Sequence, residues 1–429
     1  MLIATSKRIR AKEFDIALLG TALIISILSL FTIFSAVNSD YRSDNKVWRQ
    51  AIHLGIALFA MSVALFIDYR ILHNFSYILY GIGFLILSSV ILFFPQQAGV
   101  RRWFLSGAFQ PSELARIILI IALARYLSDS KRSAGQFKVF VMASLIVMLY
   151  IFLFFMQPAL GYALILIPIA LSMFYIGGIN EIYLLLLIIP GAVSASVTIF
   201  ILHKGWNMAS NTAIVNILIF IAIYACFTIL AYYLISKTRV KNGRKQVKFI
   251  SLCVLAGILL ALVGTGMLRD YQKRRLLAFV DPGSDPKGAG YQIIQSKIAI
   301  GAGGFIGQGY LQGTQNRLDF LPAQHTDFIF SVAAEEKGFL GAAVLLALYF
   351  VLIMRGIKAA DKADDPFGTL LATGIVAMIT TQVFMNVGMT LGLMPITGVP
   401  LPLMSYGGSS LLATYIAIGL LLNVRLKRQ

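Results

Sequence analysis

The residues able to do chemistry gather between Arg269 and Gly341, the longest polar interruption in a chain of 429 residues, 59% hydrophobic and 13% charged. Three consecutive cations, Lys273, Arg274 and Arg275, stand near its start, and two Asp-Pro pairs follow at Asp281 and Asp285. Carboxylates can serve as general bases, and guanidinium groups bind anionic oxygens bidentately. Glycines at 288, 290, 301, 303, 304, 307, 309 and 313 permit close backbone approach and turns with positive φ. They do not form a nucleotide-binding loop, because no strand precedes GAGGFIG. Past Pro322, His325-Thr326-Asp327 reads as a helix start capped by Thr326 or Asp327. Asp327, Ser331 and Glu335 then share one helix face, and beside lipid such a polar stripe lines a cavity.

Three shorter constellations interrupt apolar sequence. In the first, Arg101 and Arg102 precede Pro111-Ser112-Glu113, with Arg116 one turn beyond Glu113 and within its reach. Charge at membrane depth costs several kcal/mol unless paired or wetted, so this pair is either a site or an ion pair offsetting its own burial. The second, Gln157-Pro158-Ala159-Leu160-Gly161, reads as an ordinary outer turn. In the third, the prolines and glycines from Gly398 to Ser410 prevent simple helix, which predicts a re-entrant or cavity-lining loop.

The elements positioning these residues follow from hydropathy. Apolar windows of about 20 residues predict a polytopic helical membrane protein with spans at 15–37, 50–67, 72–94, 112–128, 137–156, 159–178, 181–202, 212–236, 248–268, 328–355, 367–390 and 408–424. Basic segments at 7–12, 131–138, 237–248, 355–362 and 425–428 alternate with the spans, so both termini are expected in the cytoplasm and 269–327 outside. The apolar stretch after Lys12 lacks a small-residue cleavage site and reads as a retained first helix. Tyr291 to Ile300 is amphipathic and is expected along the membrane surface. The net charge of +18 sits at span ends, as membrane topology requires, and implies no nucleic-acid partner. Cys226 and Cys253 lie in apolar spans, and no Cys/His spacing suits zinc. No linker divides the chain, so residues 1–429 read as one membrane domain.

The constellations together resemble the SEDS family of bacterial cell-wall proteins. The matching pieces are GVRRW with FQPSELARI, QPALG, the run from RRLLAFVDPGSDPKGAGY to AAEEKGF, and GLMPITGVPLPLMSYGGSS. Gly313-Thr314-Gln315 and the short termini look more like the RodA branch than FtsW. The resemblance implies a peptidoglycan glycosyltransferase of cell-wall elongation and cell shape that polymerises lipid II at the outer face of the bacterial inner membrane. It also implies a class B penicillin-binding protein as partner, alongside membrane lipid.

The family's catalytic aspartate falls on Asp285 of Asp285-Pro286-Lys287-Gly288-Ala289-Gly290-Tyr291, with Asp281 as runner-up. A sugar linked α to pyrophosphate and joined β in the product needs one inverting displacement, hence one base and cations for the leaving group. An ordinary aspartate is a weak base at neutral pH, so Asp285 needs raised basicity or an orienting role. Pyrophosphate candidates are Arg101, Arg102, Lys273, Arg274, Arg275 and Arg317; further substrate contacts fall on Glu113, Arg116, Gln295, Ser296, His325, Thr326, Asp327, Glu335, Ser405 and Ser409. A divalent cation suits the chemistry, although the sequence holds no dedicated cage and no metal ligands are assigned.

Four departures mark this chain. Ala159 replaces the family's usual aspartate, Arg116 its lysine and Ala323 the glutamate of LPE, and three helices in 181–268 precede the large loop where relatives have one. The alternatives are a lipid II flippase, disfavoured by the lack of an inverted repeat, and a silent scaffold for the penicillin-binding protein, disfavoured by the intact Asp285 motif.

Overall fold

The computed structural model describes residues 14–37, 44–93, 109–133, 135–157, 159–203, 233, 243–318 and 320–426. Every long element among them is an α-helix. The first eight are α1 (Ile16–Val37), α2 (Asp44–Phe66), α3 (Tyr69–Phe93), α4 (Pro111–Asp129), α5 (Phe137–Met156), α6 (Leu160–Ile176), α7 (Glu181–His203) and α8 (Gly243–Met267). Two shorter helices, α9 (Asp270–Val280) and α10 (Ala289–Ala302), precede α11 (Ile329–Asp361), α12 (Pro366–Thr390) and α13 (Gly408–Leu426). Eleven of the expected spans fall on these helices; the twelfth, 212–236, lies outside the described residues except for Tyr233. Nine helices among the described residues are long and apolar enough to cross a bilayer. This is an integral membrane protein.

The chain forms two compact units, Met1–Asn180 with Gln292–Gln429, and Glu181–Tyr291. In the first, α12 is the most deeply enclosed after α13 of the nine helices long and apolar enough to cross a bilayer, and small residues let its neighbours close in. A Cβ on Gly374 would meet Ile120 of α4 at 2.5 Å and Met173 of α6 at 2.8 Å. Pro366 begins α12, and the Asp365 side chain caps it by accepting the Gly368 N–H at 3.2 Å. Asn423 of α13 serves two helices at once: its amide donates to the Ala64, Leu65 and Ile67 carbonyls at the end of α2, and its Oδ1 accepts the Tyr69 N–H that begins α3. At the same end of the bundle, buried Asp15 pairs with Arg355 of α11 and Arg425 of α13.

In the second unit α7 packs against α8, where Gly257 lies so near Pro190 that a Cβ would come within 2.8 Å of its carbonyl oxygen. This unit also carries α9 and the turn that follows it.

The sequence predicted one unbroken helix over 328–355. Instead α11 breaks at Gly338, whose φ of 64° and ψ of −165° are open only to glycine. The break frees main-chain groups, and residues 303–309 bind them. Gln308 and Gly309 donate to the Glu335 and Glu336 carbonyls, both at 3.0 Å, while Phe339 and Leu340 donate to Gly304 and Phe305 at 2.9 and 3.1 Å. This clasp satisfies polar backbone that could not face lipid. It also fixes the role of the glycines, since a Cβ on Gly307 would stand 2.2 Å from the Glu336 carbonyl oxygen.

Candidate active site

The turn between α9 and α10 explains the spacing of its aspartates and glycines. Asp281 accepts the Gly283 N–H at 3.1 Å, closing a turn over its own proline. Asp285 lies half-buried at the N-terminus of α10, and its Oδ2 accepts the Ala289 N–H at 2.9 Å. Helix N-termini point N–H groups at anions, so the carboxylate is held by the helix it precedes. Its Oδ1 accepts no hydrogen bond among the described residues. The glycines make this fold-back fit. A Cβ on Gly288 would lie 2.4 Å from Asp285 Oδ2, and one on Gly290 would lie 2.0 Å from the Pro282 carbonyl oxygen and 2.7 Å from that of Asp285. Carbonyls of a tight turn cannot swing aside, so position 290 demands glycine.

Lys273, Arg274 and Arg275 lie on α9, about two turns before Asp281. Consecutive helix positions step by about 100°, so the three cations fan around α9 rather than sharing one face. Arg274 is exposed, Lys273 is half-buried, and Arg275 lies 5.8 Å from the Tyr271 ring centre.

In the first unit, Glu113 and Arg116 form an ion pair within α4, both 1% exposed. Tyr162 of α6 donates to the free Glu113 oxygen at 2.6 Å, and its ring faces the guanidinium at 5.0 Å. The pair is therefore enclosed, and Arg116 Nε and Nη1 have no hydrogen-bond partner among the described residues. Arg101 and Arg102 lie outside the described residues. The predicted turn at Gln157 is a buried corner: Gln157 donates to the Leu87 carbonyl at 3.0 Å, and Gly161 abuts Thr397. Ala159 is fully buried as the N-cap of α6 and leaves that helix without a side-chain cap.

The expected stripe on α11 is corrected in two respects. Neither Thr326 nor Asp327 caps the helix; Phe328 precedes its first residue, without a side-chain cap, and both polar residues lie in the preceding turn. Nor does Glu335 line a cavity. It is fully buried, and its carboxylate accepts from Thr314 Oγ1 at 3.2 Å and from the Gln315 and Asn316 N–H groups at 2.8 and 3.3 Å. Glu335 thereby holds the short helix Thr314–Arg317, whose Arg317 is exposed. Glu336, which the spacing did not single out, is buried and accepts from Ser35 of α1 and from the Leu311 N–H.

Other predicted substrate contacts are engaged within the protein. Ser296 of α10 is fully buried, 2.7 Å from Ser331 Oγ and donating to the Thr390 carbonyl at 2.6 Å, so this helix turns a polar side inward rather than simply lying on a membrane surface. Gln295 beside it is half-buried. From Gly398 to Gly407 the chain is non-helical as expected and largely enclosed by protein, whereas Gly408, Ser409 and Ser410 already belong to α13. Ser405 accepts the Leu401 N–H and donates to the Thr326 carbonyl, Asn386 donates to the Val399 and Asp327 carbonyls, and Tyr406 N–H reaches the His325 carbonyl at 2.9 Å. His325 also meets the Tyr406 ring edge-on at 5.8 Å. Ser409 accepts the Gln110 N–H at 2.9 Å. No cluster of three or more metal-ligating side chains occurs among the described residues.

The profile of the cell cycle protein family FTSW_RODA_SPOVE matches residues 15–217 and 210–429. The chain belongs to the FtsW/RodA/SpoVE family. Among the members most similar to it is the peptidoglycan glycosyltransferase RodA of Treponema pallidum, 34% identical, the match covering 98% of this chain and 100% of that one. The peptidoglycan glycosyltransferase MrdB of Escherichia coli K12 is 32% identical, covering 97% and 94%. A chain solved in work on structural coordination of polymerization and crosslinking by a peptidoglycan synthase complex superposes with a TM-score of 0.69 at 29% identity, over 97% of this chain and 98% of that one. The FtsW/RodA/SpoVE relationship therefore spans nearly the whole molecule, including the turn at Asp285.

Proposed function

We propose that this protein is a peptidoglycan glycosyltransferase that polymerises lipid II into glycan strands for cell-wall elongation and cell shape. The carrying observation is the near-complete match to glycosyltransferase relatives together with an intact Asp285 turn. In this reading Asp285 takes the proton of the acceptor hydroxyl as that oxygen attacks the anomeric carbon from the face opposite the pyrophosphate, whose bond breaks in the same displacement. Cations of α9 neutralise the leaving group. Residues 269–327 face outward, both termini are cytoplasmic, and the whole chain serves as one membrane enzyme. A class B penicillin-binding protein is its partner, a reading supported by the resemblance to a chain of a peptidoglycan synthase complex.

The test is polymerisation of labelled lipid II by the purified protein, with and without the partner. Asp285→Asn keeps an acceptor for the Ala289 N–H but cannot take a proton, so activity should fall by about 100-fold or more while thermal stability holds. Full activity in Asp285→Asn removes the assignment, and loss confined to Asp281→Asn moves it to the neighbouring carboxylate.

A further inference from the structure

Where α11 breaks, residues 303–309 turn two large apolar side chains outward: Phe305 is 67% and Ile306 79% exposed. Phe305 stacks on Phe339 with ring centres 5.9 Å apart, and exposed Leu340 continues the same strip along α11. On a loop in water such a patch invites aggregation, so its depth matters. Arg355, paired with Asp15, marks the charged end of α11. A hydrocarbon core takes about 20 helical residues to cross, and counted back from Arg355 that length reaches Glu335. The break and the loop clasped to it therefore sit at the opposite edge of the core.

Two neighbours suit that edge. Tyr310 donates its hydroxyl to the Phe31 carbonyl at 3.1 Å, and Lys337 Nζ lies 5.6 Å from the Tyr310 ring centre. Tyrosines with one wet end and lysines that reach outward are the residues of a membrane interface. The backbone suits it too, because the N–H groups of 307, 308 and 309 and the carbonyls of 303, 304 and 305 are all bound inside the protein.

We infer that residues 303–309 form a membrane-inserted wedge, with Phe305 and Ile306 seated among the acyl chains just beneath the lipid headgroups. The wedge anchors the segment between α10 and α11 to the bilayer, independently of any reaction the protein performs.

The test places a nitroxide at Ile306→Cys, and separately at Phe305→Cys, in the full chain with Cys226 and Cys253 replaced by alanine, in nanodiscs of phosphatidylethanolamine and phosphatidylglycerol. Power saturation compares collisions with oxygen, which concentrates in lipid, and with a water-soluble nickel chelate. Lys362→Cys, exposed at the far end of α11, supplies the aqueous reference. The oxygen-to-nickel ratio at 305 and 306 should exceed that at 362 several-fold. A ratio no higher than at 362 overturns the inference, and so does low collision with both reagents, which means that protein covers the tip. Both labelled positions are exposed, so neither substitution removes a core contact.

Discussion

In the proposed mechanism the Asp285 carboxylate rests on a neighbour with no side chain. Gly290 lets the Pro282 and Asp285 carbonyls pack against the first turn of α10, and that packing aims the carboxylate. Gly290→Ala should therefore lower lipid II polymerisation by about 100-fold through misplacement of a chemically intact Asp285, and the backbone clash should lower the unfolding temperature as well. Rate and unfolding curve measured on one preparation check this. The choice of Asp285 rests on the family resemblance, while the turn around it was legible in the sequence, because Asp-Pro pairs and glycines break an apolar chain. The roles of Ser405, Ser409 and Glu335 were not. A serine or glutamate facing substrate and one satisfying a buried backbone look alike until their partners are known, and those partners, Leu401, Gln110 and Gln315, lie on loops whose course no periodicity reports.

Among the elements, α11 departs most from its sequence. Glu335-Glu336-Lys337 just before Gly338 are good helix formers, and a lone glycine is tolerated inside helices, so no local propensity announces the break. The cause lies about thirty residues earlier, in the glycines of 303–309 that supply the missing hydrogen bonds. Gly338→Ala forces an alanine into glycine-only backbone and against Gly307 N, 2.3 Å from the new Cβ. It should cost about 1–3 kcal/mol or more, seen as a lower unfolding temperature in detergent. Gly55→Ala in α2, where a Cβ meets nothing within 4 Å, is the control and should leave stability unchanged or slightly higher.

For the whole molecule, hydropathy located the spans because lipid imposes one rule on every helix, whereas the grouping of helices into two units depends on contacts that hydropathy does not encode. One tie joins distant parts of the first unit: buried Asp15, at the start of α1, holds Arg355 and Arg425 at the ends of α11 and α13. Asp15→Asn leaves both guanidiniums without their counter-charge and should lower stability by about 3 kcal/mol, measured by thermal unfolding in nanodiscs. The clasp across the broken helix joins distant sequence differently, through main-chain atoms alone. It is indifferent to side-chain identity except where a methyl group will not fit. Across generations Gly303, Gly307 and Gly338 therefore cannot drift, and what descendants inherit at this joint is an absence, three carbon atoms that must never be added.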